Sequence, residues 1–191
     1  INTLTGGYHL PYGLGKSGPV YTDPAKKDWL TVVNSADGLV NTMDYGDYGA
    51  KFFSPSCEEA VDYMLNILGD LAKYDLDGIV LDRCRYDDNG MMSDFSEHAR
   101  KGFEAYIGRE IENFPGDIMA PGTDDIPSVI TEEFKLWMEY RAKTIHDFIV
   151  KAGDKVHGVN PDIKFGAYVG GWLASYYPTG VNWASPRYNI A

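Results

Sequence analysis

The chain has 191 residues, of which 44% are hydrophobic and 24% charged, proportions that are ordinary for one globular domain or a large part of one. Its net charge of −11 argues against a nucleic-acid partner, because binding to phosphates requires a basic face. No apolar run approaches the roughly 20 residues that a membrane helix needs, so no transmembrane segment is predicted. The chain begins at Ile1 with neither an initiator Met nor a signal peptide, which fits a processed or truncated chain.

Loops rich in Gly, Pro and Tyr dominate the first part of the chain, with a brief strand predicted at residues 3–5. Ser56 and Glu59 have the spacing of a capping box, and the apolar residues after them keep helical spacing. Cys57 and Cys84 are too few for a disulfide scaffold, and a bridge between them is not expected. No Cys/His spacing indicates zinc, so the sequence predicts neither a metal nor a cofactor.

The most informative segment is YDLDGIVLDRCRY, residues 74–86. Its apolar run, residues 79–81, predicts a short strand that is buried on both faces. Asp77 and Asp82 lie on either side of this run, roughly 16–17 Å apart in an extended chain, so they cannot share one site. Only Asp82 lies at the carboxyl end, where α/β enzymes bind their ligands.

Helices and one further strand are predicted in the second half of the chain. Asp94, with Glu97 three residues later, is predicted to cap a helix. The longest helix is predicted over residues 131–157, where Arg141 is a cation on an otherwise apolar face. Arg141 either extends along the helix to reach solvent or pairs with a buried carboxylate. IKFGAYVGGW, residues 163–172, is predicted to contain the second convincing strand.

Two strands separated by long helices are typical of parallel pairing in a βαβ unit. A closed (β/α)8 barrel takes about 250 residues, which is more than this chain contains. The sequence therefore predicts an α/β fold, a partial TIM barrel, in which residues 1–191 form the central portion of a single domain.

Asp82 is the predicted catalytic carboxylate of this barrel. Glycoside hydrolysis needs two carboxylates across the scissile bond. Arg83 and Arg85 would keep Asp82 ionised or orient it by hydrogen bonds. The alternative is that Asp82 ties down its own loop. No partner carboxylate is evident, because the second strand carries none at its carboxyl end and Asp87 and Asp88 fit a turn better.

Aromatic side chains are the other predicted ligand contacts. Tyr8 and His9 follow two glycines, which indicate close approach of the backbone to a ligand, and Tyr168 and Trp172 lie near the end of the second strand. Aromatic rings with polar tips suit the faces of sugars, although most aromatic residues serve core packing. The predicted substrate-binding residues are Tyr8, His9, Arg83, Arg85, Tyr168 and Trp172.

The chain resembles the bacterial glycosyl-hydrolase-like family 10, whose members are often described as α-amylase-like or family-10-like. The resemblance spans nearly the whole chain and is carried by YDLDGIVLDRCRY, SGPVYTDPAKKDW, FFSPSCEEAVDYML, FKLWMEYRAKTIHDFI and KFGAYVGGWLASYYPTGVNWASPRYN. It implies a (β/α)8 barrel that begins upstream of Ile1 and continues past Ala191. It also implies an extracytoplasmic bacterial enzyme (periplasmic, cell-surface or secreted) with a polysaccharide substrate.

In α-amylase-type barrels the nucleophilic Asp ends the fourth strand, and Asp82 looks like that position. Val80 stands where the amylase pattern has an Arg, and Gly170, Gly171 and Trp172 stand where it has the acid/base Glu. The first hypothesis is therefore a glycoside hydrolase with Asp82 as catalytic carboxylate. The second is a non-catalytic carbohydrate-binding barrel without a complete carboxylate pair. The third, which rests on acidity and surface aromatics, is an assembly or surface-layer protein.

Overall fold

A computed structural model describes residues 1–169 and 177–184, and the strands in this part of the chain form three small sheets. The largest is antiparallel, with β1 (Thr5–Leu10) in its centre. A tight turn brings β2 (Gly15–Ser17) back along one side of β1, and β5 (Gly49–Phe52) pairs with the other side. The sequence predicts a strand at residues 3–5. In the structure β1 begins at Thr5 and includes Gly6 and Gly7.

The other two sheets have two strands each. β3 (Val32–Ser35) and β4 (Gly38–Asn41) form an antiparallel hairpin. β6 (Gly78–Leu81) and β7 (Lys164–Ala167) are the two strands that the sequence marks most clearly, and they pair in parallel. Their pairing follows the order strand, helix, strand along the chain.

The predicted partial TIM barrel is wrong. In the described ranges, two of the three sheets are antiparallel, and β6 and β7 form a sheet of two strands. β6 is also not buried on both faces, because Ile79 and Leu81 are buried whereas Val80 is 56% exposed. A short apolar run identifies a strand, but it does not say which strands will be its neighbours.

Within the described residues, four α-helices accompany the sheets. α1 (Pro19–Thr22) is a single turn, and α2 (Glu58–Leu71), α3 (Glu97–Ile107) and α4 (Glu132–Val159) are longer. α4 agrees closely with its prediction, because its cap and its periodicity are both local signals. Short 3-10 helices lie at Pro24–Trp29, Gly90–Met92 and Val181–Ala184.

The amino-terminal ends of these helices differ in how they are capped. The Thr131 side chain accepts a hydrogen bond from the Phe134 N–H at the start of α4. Ser96 caps α3 by accepting from the Ala99 N–H, so the predicted cap, Asp94, lies two residues too early. The N-cap residue of α2 is Cys57, whose side chain makes no capping hydrogen bond. The predicted capping box, which has Ser56 as the N-cap, is therefore not formed.

Two hydrophobic cores pack against different halves of α4, one against its amino-terminal half and one against its carboxyl-terminal half. The first core combines chain segments before residue 87 with the carboxyl-terminal half of α4, and its largest buried members include Leu4, Phe52, Phe53, Leu68 and Phe148. The second core is built from residues 91–140, and its aromatic centre is Phe95, Phe103, Phe134 and Trp137. The ring centroids of Phe95 and Trp137 are 5.1 Å apart in a stacked arrangement.

Arg141 lies between the two cores and is 1% exposed. It neither reaches solvent nor forms a direct ion pair in the described residues. Its Nη2 donates to the main-chain carbonyls of Gly90, at 3.0 Å, and Pro178, at 2.9 Å. Burial lowers the pKa of Arg141, while the negative charges of Asp87 and Asp94 oppose this shift.

Candidate functional site

The carboxylate of Asp82 closes its own turn. Its Oδ1 accepts a hydrogen bond of 2.8 Å from the N–H of Arg83, whose φ of 55° lies in the left-handed region. The main chain of Asp82 donates to the carbonyl of Ile1 and accepts from the N–H of Thr3, both at 2.8 Å. The carboxylate thus bonds to the adjacent residue, and the main chain of Asp82 attaches this loop to the amino-terminal segment.

Arg83 and Arg85 were predicted to orient Asp82, but the ion pairs they form are with Asp88. Nη2 of Arg85 is 2.7 Å from Oδ1 of Asp88, and Nη1 of Arg83 is 3.7 Å from Oδ2 of the same carboxylate. Asp88 is exposed, so water screens these pairs.

Arg83 and Arg85 both lie near the ring of Phe52, and Arg83 also contacts the ring of Tyr8. The guanidinium carbons of Arg83 and Arg85 lie 5.8 and 5.6 Å from the Phe52 ring centroid. That of Arg83 also lies 5.9 Å from the Tyr8 ring, and the Tyr8 hydroxyl accepts a hydrogen bond from Asn2. Three of the predicted contact residues, Tyr8, Arg83 and Arg85, are therefore neighbours.

His9 belongs to different surroundings, because successive side chains of a strand point to opposite faces. Its ring centroid is 4.7 Å from that of Tyr48, and its Nδ1 contacts the carbonyl of Asp47. His9 lines a cleft of about 580 Å³. Three lysines share this lining: Lys16, Lys27 and Lys51.

Lys51 stabilises one wall of this cleft through hydrogen bonds to main-chain carbonyls. It is 3% exposed, and its ammonium group donates to the carbonyls of Thr42, Tyr45 and Gly46. Burial lowers the pKa of Lys51, and nearby aspartates offset part of this shift. The three bonds occupy the three N–H donors of the ammonium group, so its observed role is to fix the loop after β4.

Tyr168 lies at the end of β7, with a side chain that is 71% exposed. Its N–H donates to the carbonyl of Leu81 at 2.7 Å, so its backbone adjoins the residue before Asp82. Trp172 lies outside the described residues.

Two aspartates that the sequence assigned to a turn and a helix cap are buried in a hydrogen-bond network. Oδ2 of Asp87 accepts from the hydroxyls of Thr31 and Ser93, both at 2.6 Å, and Oδ1 accepts from the Asn89 N–H. The carboxylate thereby attaches the loop after β6 to the residue before β3. No signal in the sequence separates Asp87 from its exposed neighbour Asp88.

Asp94 makes a second attachment in the same region. Its Oδ1 accepts from the main-chain N–H groups of Val32 and Ser96, both at 2.9 Å, and its Oδ2 accepts from the Ser96 hydroxyl at 3.1 Å. Complete burial raises the pKa of Asp94, although hydrogen bonds to the carboxylate oppose this shift. These bonds join β3 to the start of α3.

A third group of side chains combines sulfur, oxygen and nitrogen. One potential ligand atom each from Cys57, Glu59 and His98 lie within 4.8 Å of one another. Sγ of Cys57 is 3.5 Å from Oε2 of Glu59, and Nε2 of His98 is 3.2 Å from Oδ2 of Asp28. Burial raises the pKa of the Cys57 thiol to about 11. Cys84, the other free and buried cysteine, lies outside this group.

A protein that is similar in sequence to this chain has a name that refers to a surface layer. No family model matches the chain. A protein of Niallia circulans named "S-layer-related protein" is 33% identical over 176 residues. The match covers 84% of this chain and 10% of that protein, so the chain spans about a tenth of the relative's length. In residues 1–169 and 177–184, no helix is both long and apolar enough to cross a membrane.

These findings overturn the predicted hydrolase function. The relative's name refers to a surface layer and not to glycoside hydrolysis. The barrel on which both the hydrolase and the carbohydrate-binding alternative depended is not formed by the described strands. Asp82 therefore loses its predicted role as a glycosidase carboxylate. The resemblance to glycosyl-hydrolase-like family 10 stays a prediction from sequence motifs.

Proposed function

We propose that this chain is a structural segment of a bacterial cell-surface protein of the surface-layer type. The observation that carries the proposal is the 33% identity to the S-layer-related protein, which extends over 84% of the chain. This agreement runs through most of the folded region and is not confined to one short motif. The proposal places the protein outside the cytoplasm, at the cell surface.

The chemistry of the loop after β6 supports a structural role. Asp82 bonds to its own turn, and Asp87 attaches the loop to Thr31 before β3. Asp94 adds bonds to the main chain of β3 and to the amino-terminal end of α3. Carboxylates whose lone pairs are engaged in this way hold a loop in one conformation, which suits a segment that must keep its shape.

The length of the relative supports a segment that works within a longer polypeptide. The chain matches a tenth of that protein, so most of the proposed surface protein consists of other segments. A net charge of −11 gives this segment a repulsive surface toward others of its kind, so ordered contacts must overcome that repulsion. We therefore assign this chain the role of a structural segment, and we assign the assembly of a surface layer to the longer protein.

Protease treatment of intact cells tests the proposed location. An antibody raised against this chain would follow the full-length natural protein in its source bacterium, before and after brief protease treatment. We expect loss of the full-length band from intact cells, while a cytoplasmic marker protein stays uncut. If the band is degraded only after the cells are lysed, the proposed surface location is wrong.

Sedimentation of the released full-length protein tests this assembly role separately. A surface-layer protein is expected to form large, regular assemblies that pellet and show a repeating lattice in electron micrographs. A surface-exposed protein that remains monomeric under all release conditions would contradict the assembly role while leaving the location intact.

A further inference from the structure

We propose that Cys57, Glu59 and His98 form a binding site for a zinc ion. The site goes beyond the proposed surface role, because it depends only on side chains within this chain. The three residues offer a thiol sulfur, a carboxylate oxygen and an imidazole nitrogen within 4.8 Å of one another. These are the three types of ligand atom that zinc takes from proteins.

The distance between two of these atoms, which a hydrogen bond from the Cys57 thiol to Glu59 now spans, equals the separation that a shared zinc ion would impose. A tetrahedral zinc ion with bonds of about 2.3 Å to sulfur and about 2.0 Å to oxygen holds the two ligand atoms roughly 3.5 Å apart. The observed separation of Sγ of Cys57 and Oε2 of Glu59 is 3.5 Å. The imidazole of His98 must move closer to the other two ligand atoms to bind the same ion. Rotation of the side chains can supply this movement, because Glu59 is exposed and His98 is half-buried.

The backbone brings the ligands together from two helices. Cys57 and Glu59 lie at the amino-terminal end of α2, and His98 lies in the first turn of α3. The amino-terminal end of α2 favours negative charge on Cys57 and Glu59, whereas burial raises the pKa of the Cys57 thiol to about 11, so a zinc ion has to displace the thiol proton in order to bind the sulfur. The resulting thiolate and the Glu59 carboxylate in turn neutralise the charge of a divalent cation.

Asp28 supplies the contact that metal-binding histidines usually have. Its Oδ2 lies 3.2 Å from Nε2 of His98, and the residue belongs to the 3-10 helix Pro24–Trp29. A carboxylate bonded to a ligating imidazole fixes the ring orientation and raises its basicity. Asp28 is thus a positioning residue, and the bound ion would connect α2, α3 and this 3-10 helix.

The mixed ligand set selects the class of metal. Sulfur and nitrogen suit borderline cations such as zinc, whereas calcium and magnesium require a shell of oxygens. Zinc sites with three protein ligands complete a tetrahedron with water. The group therefore fits zinc and does not fit a hard-cation site.

Calorimetric titration of the purified, chelator-treated chain with zinc chloride tests the site. We expect one zinc ion per chain and no binding of calcium or magnesium under the same conditions. H98Q and E59Q are expected to weaken zinc binding by at least about 100-fold. Loss of a residue that binds the ion costs more affinity than loss of a residue that only hydrogen-bonds to a ligand. D28N is expected to weaken it by about 10-fold to 100-fold.

Matched variants of the same residue types separate this site from adventitious binding. Cys84→Ser removes the other buried cysteine, and His157→Gln removes a histidine on α4, so both are expected to bind zinc as the unmodified chain does. With cobalt in place of zinc, Cys57→Ser is expected to lose the thiolate-to-cobalt charge-transfer absorption that Cys84→Ser keeps.

Two results would overturn the site. One is the absence of stoichiometric zinc binding by the folded chain. The other is equal zinc affinity in H98Q, E59Q and the unmodified chain, with folding confirmed by circular dichroism. Because Glu59 and His98 are not part of a core, these two variants keep the test decisive if Cys57→Ser fails to fold.

Discussion

The guanidinium carbon of Arg141 lies 4.2 Å from the centre of the Tyr86 ring, and each of these residues is 1% exposed. A cation placed over an aromatic face gains more when water is excluded from the contact. Because Arg141 belongs to α4 and Tyr86 to the loop after β6, this contact joins the two cores at their boundary.

Replacement of Arg141 tests this junction. R141M keeps much of the apolar volume but leaves the carbonyls of Gly90 and Pro178 without their donor, so we expect a loss of roughly 3 kcal/mol in unfolding free energy. R141K keeps the charge without the planar donor group and is expected to recover only part of this loss. Urea denaturation measures both, and an R141M chain within about 0.5 kcal/mol of the unmodified protein would refute the junction.

Adjacent aspartates are expected to differ sharply in their contribution to stability. D87A leaves the buried hydroxyls of Thr31 and Ser93 without their acceptor and is expected to cost about 3 kcal/mol. D88A removes an exposed carboxylate whose pairs with arginine are screened by water, so a change below about 1 kcal/mol is expected. The comparison uses midpoints of urea denaturation, and equal losses in the two variants would contradict the assigned network.

Asp94 is expected to make stability depend on pH. Burial raises its folded pKa above the ordinary value of 3.8, so the folded state keeps a proton that the unfolded state has released. The resulting stabilisation is complete below the unfolded pKa and is lost as the pH rises through the folded pKa.

D94N isolates this contribution, because an amide oxygen still accepts from Val32 and Ser96 but does not titrate. We expect the unfolding free energy of the unmodified chain, relative to D94N, to decline as the pH rises from about 4. Denaturation curves between acid and neutral pH provide the measurement, with D88N as an exposed control. A relative stability that increases with pH would show that the folded pKa is lowered instead.

Two glycines in helices provide a matched pair for testing packing. A Cβ at Gly102 in α3 would overlap the hydroxyl of Tyr140, which forms a 2.8 Å hydrogen bond with the Ser56 hydroxyl. G102A is therefore expected to destabilise the chain by about 1–3 kcal/mol. G158A in α4 meets no atom within 4 Å and is expected to stabilise it by about 0.5–1 kcal/mol. Thermal unfolding distinguishes them, and the packing argument fails if both variants shift Tm alike.

Local signals in the sequence were sufficient for the long helix but not for the sheet arrangement. α4 could be predicted because Thr131 caps it and its apolar residues recur at helical spacing. The β6 and β7 strands were located for a similar reason. The antiparallel pairing of β1 with β2 and β5 depends on turns and long-range contacts that periodicity does not encode, and the barrel prediction failed there.

Spacing in the sequence does not predict the side-chain pairs of these sites. Arg85 pairs with Asp88, three residues later, but Asp82 lies three residues earlier, so spacing alone does not distinguish the two carboxylates. The sequence assigns Asp87 to a turn and Asp94 to a helix cap, and it does not predict their burial, which depends on partners such as Thr31 that lie far along the chain. The Cys57, Glu59 and His98 group comes from two helices and has no local spacing that marks it.

The arrangement of the two cores has a consequence for the order of folding. Among the residues that the structure describes, the buried members of the second core lie within residues 91–140, whereas the first core draws on segments both before and after them. The second core is therefore formed by one continuous stretch of the chain, which is inserted between the segments that form the first core. Its collapse shortens the effective loop, residues 82–163, that separates β6 from β7. The entropy cost of bringing these parallel strands together is therefore reduced once the inserted unit has condensed.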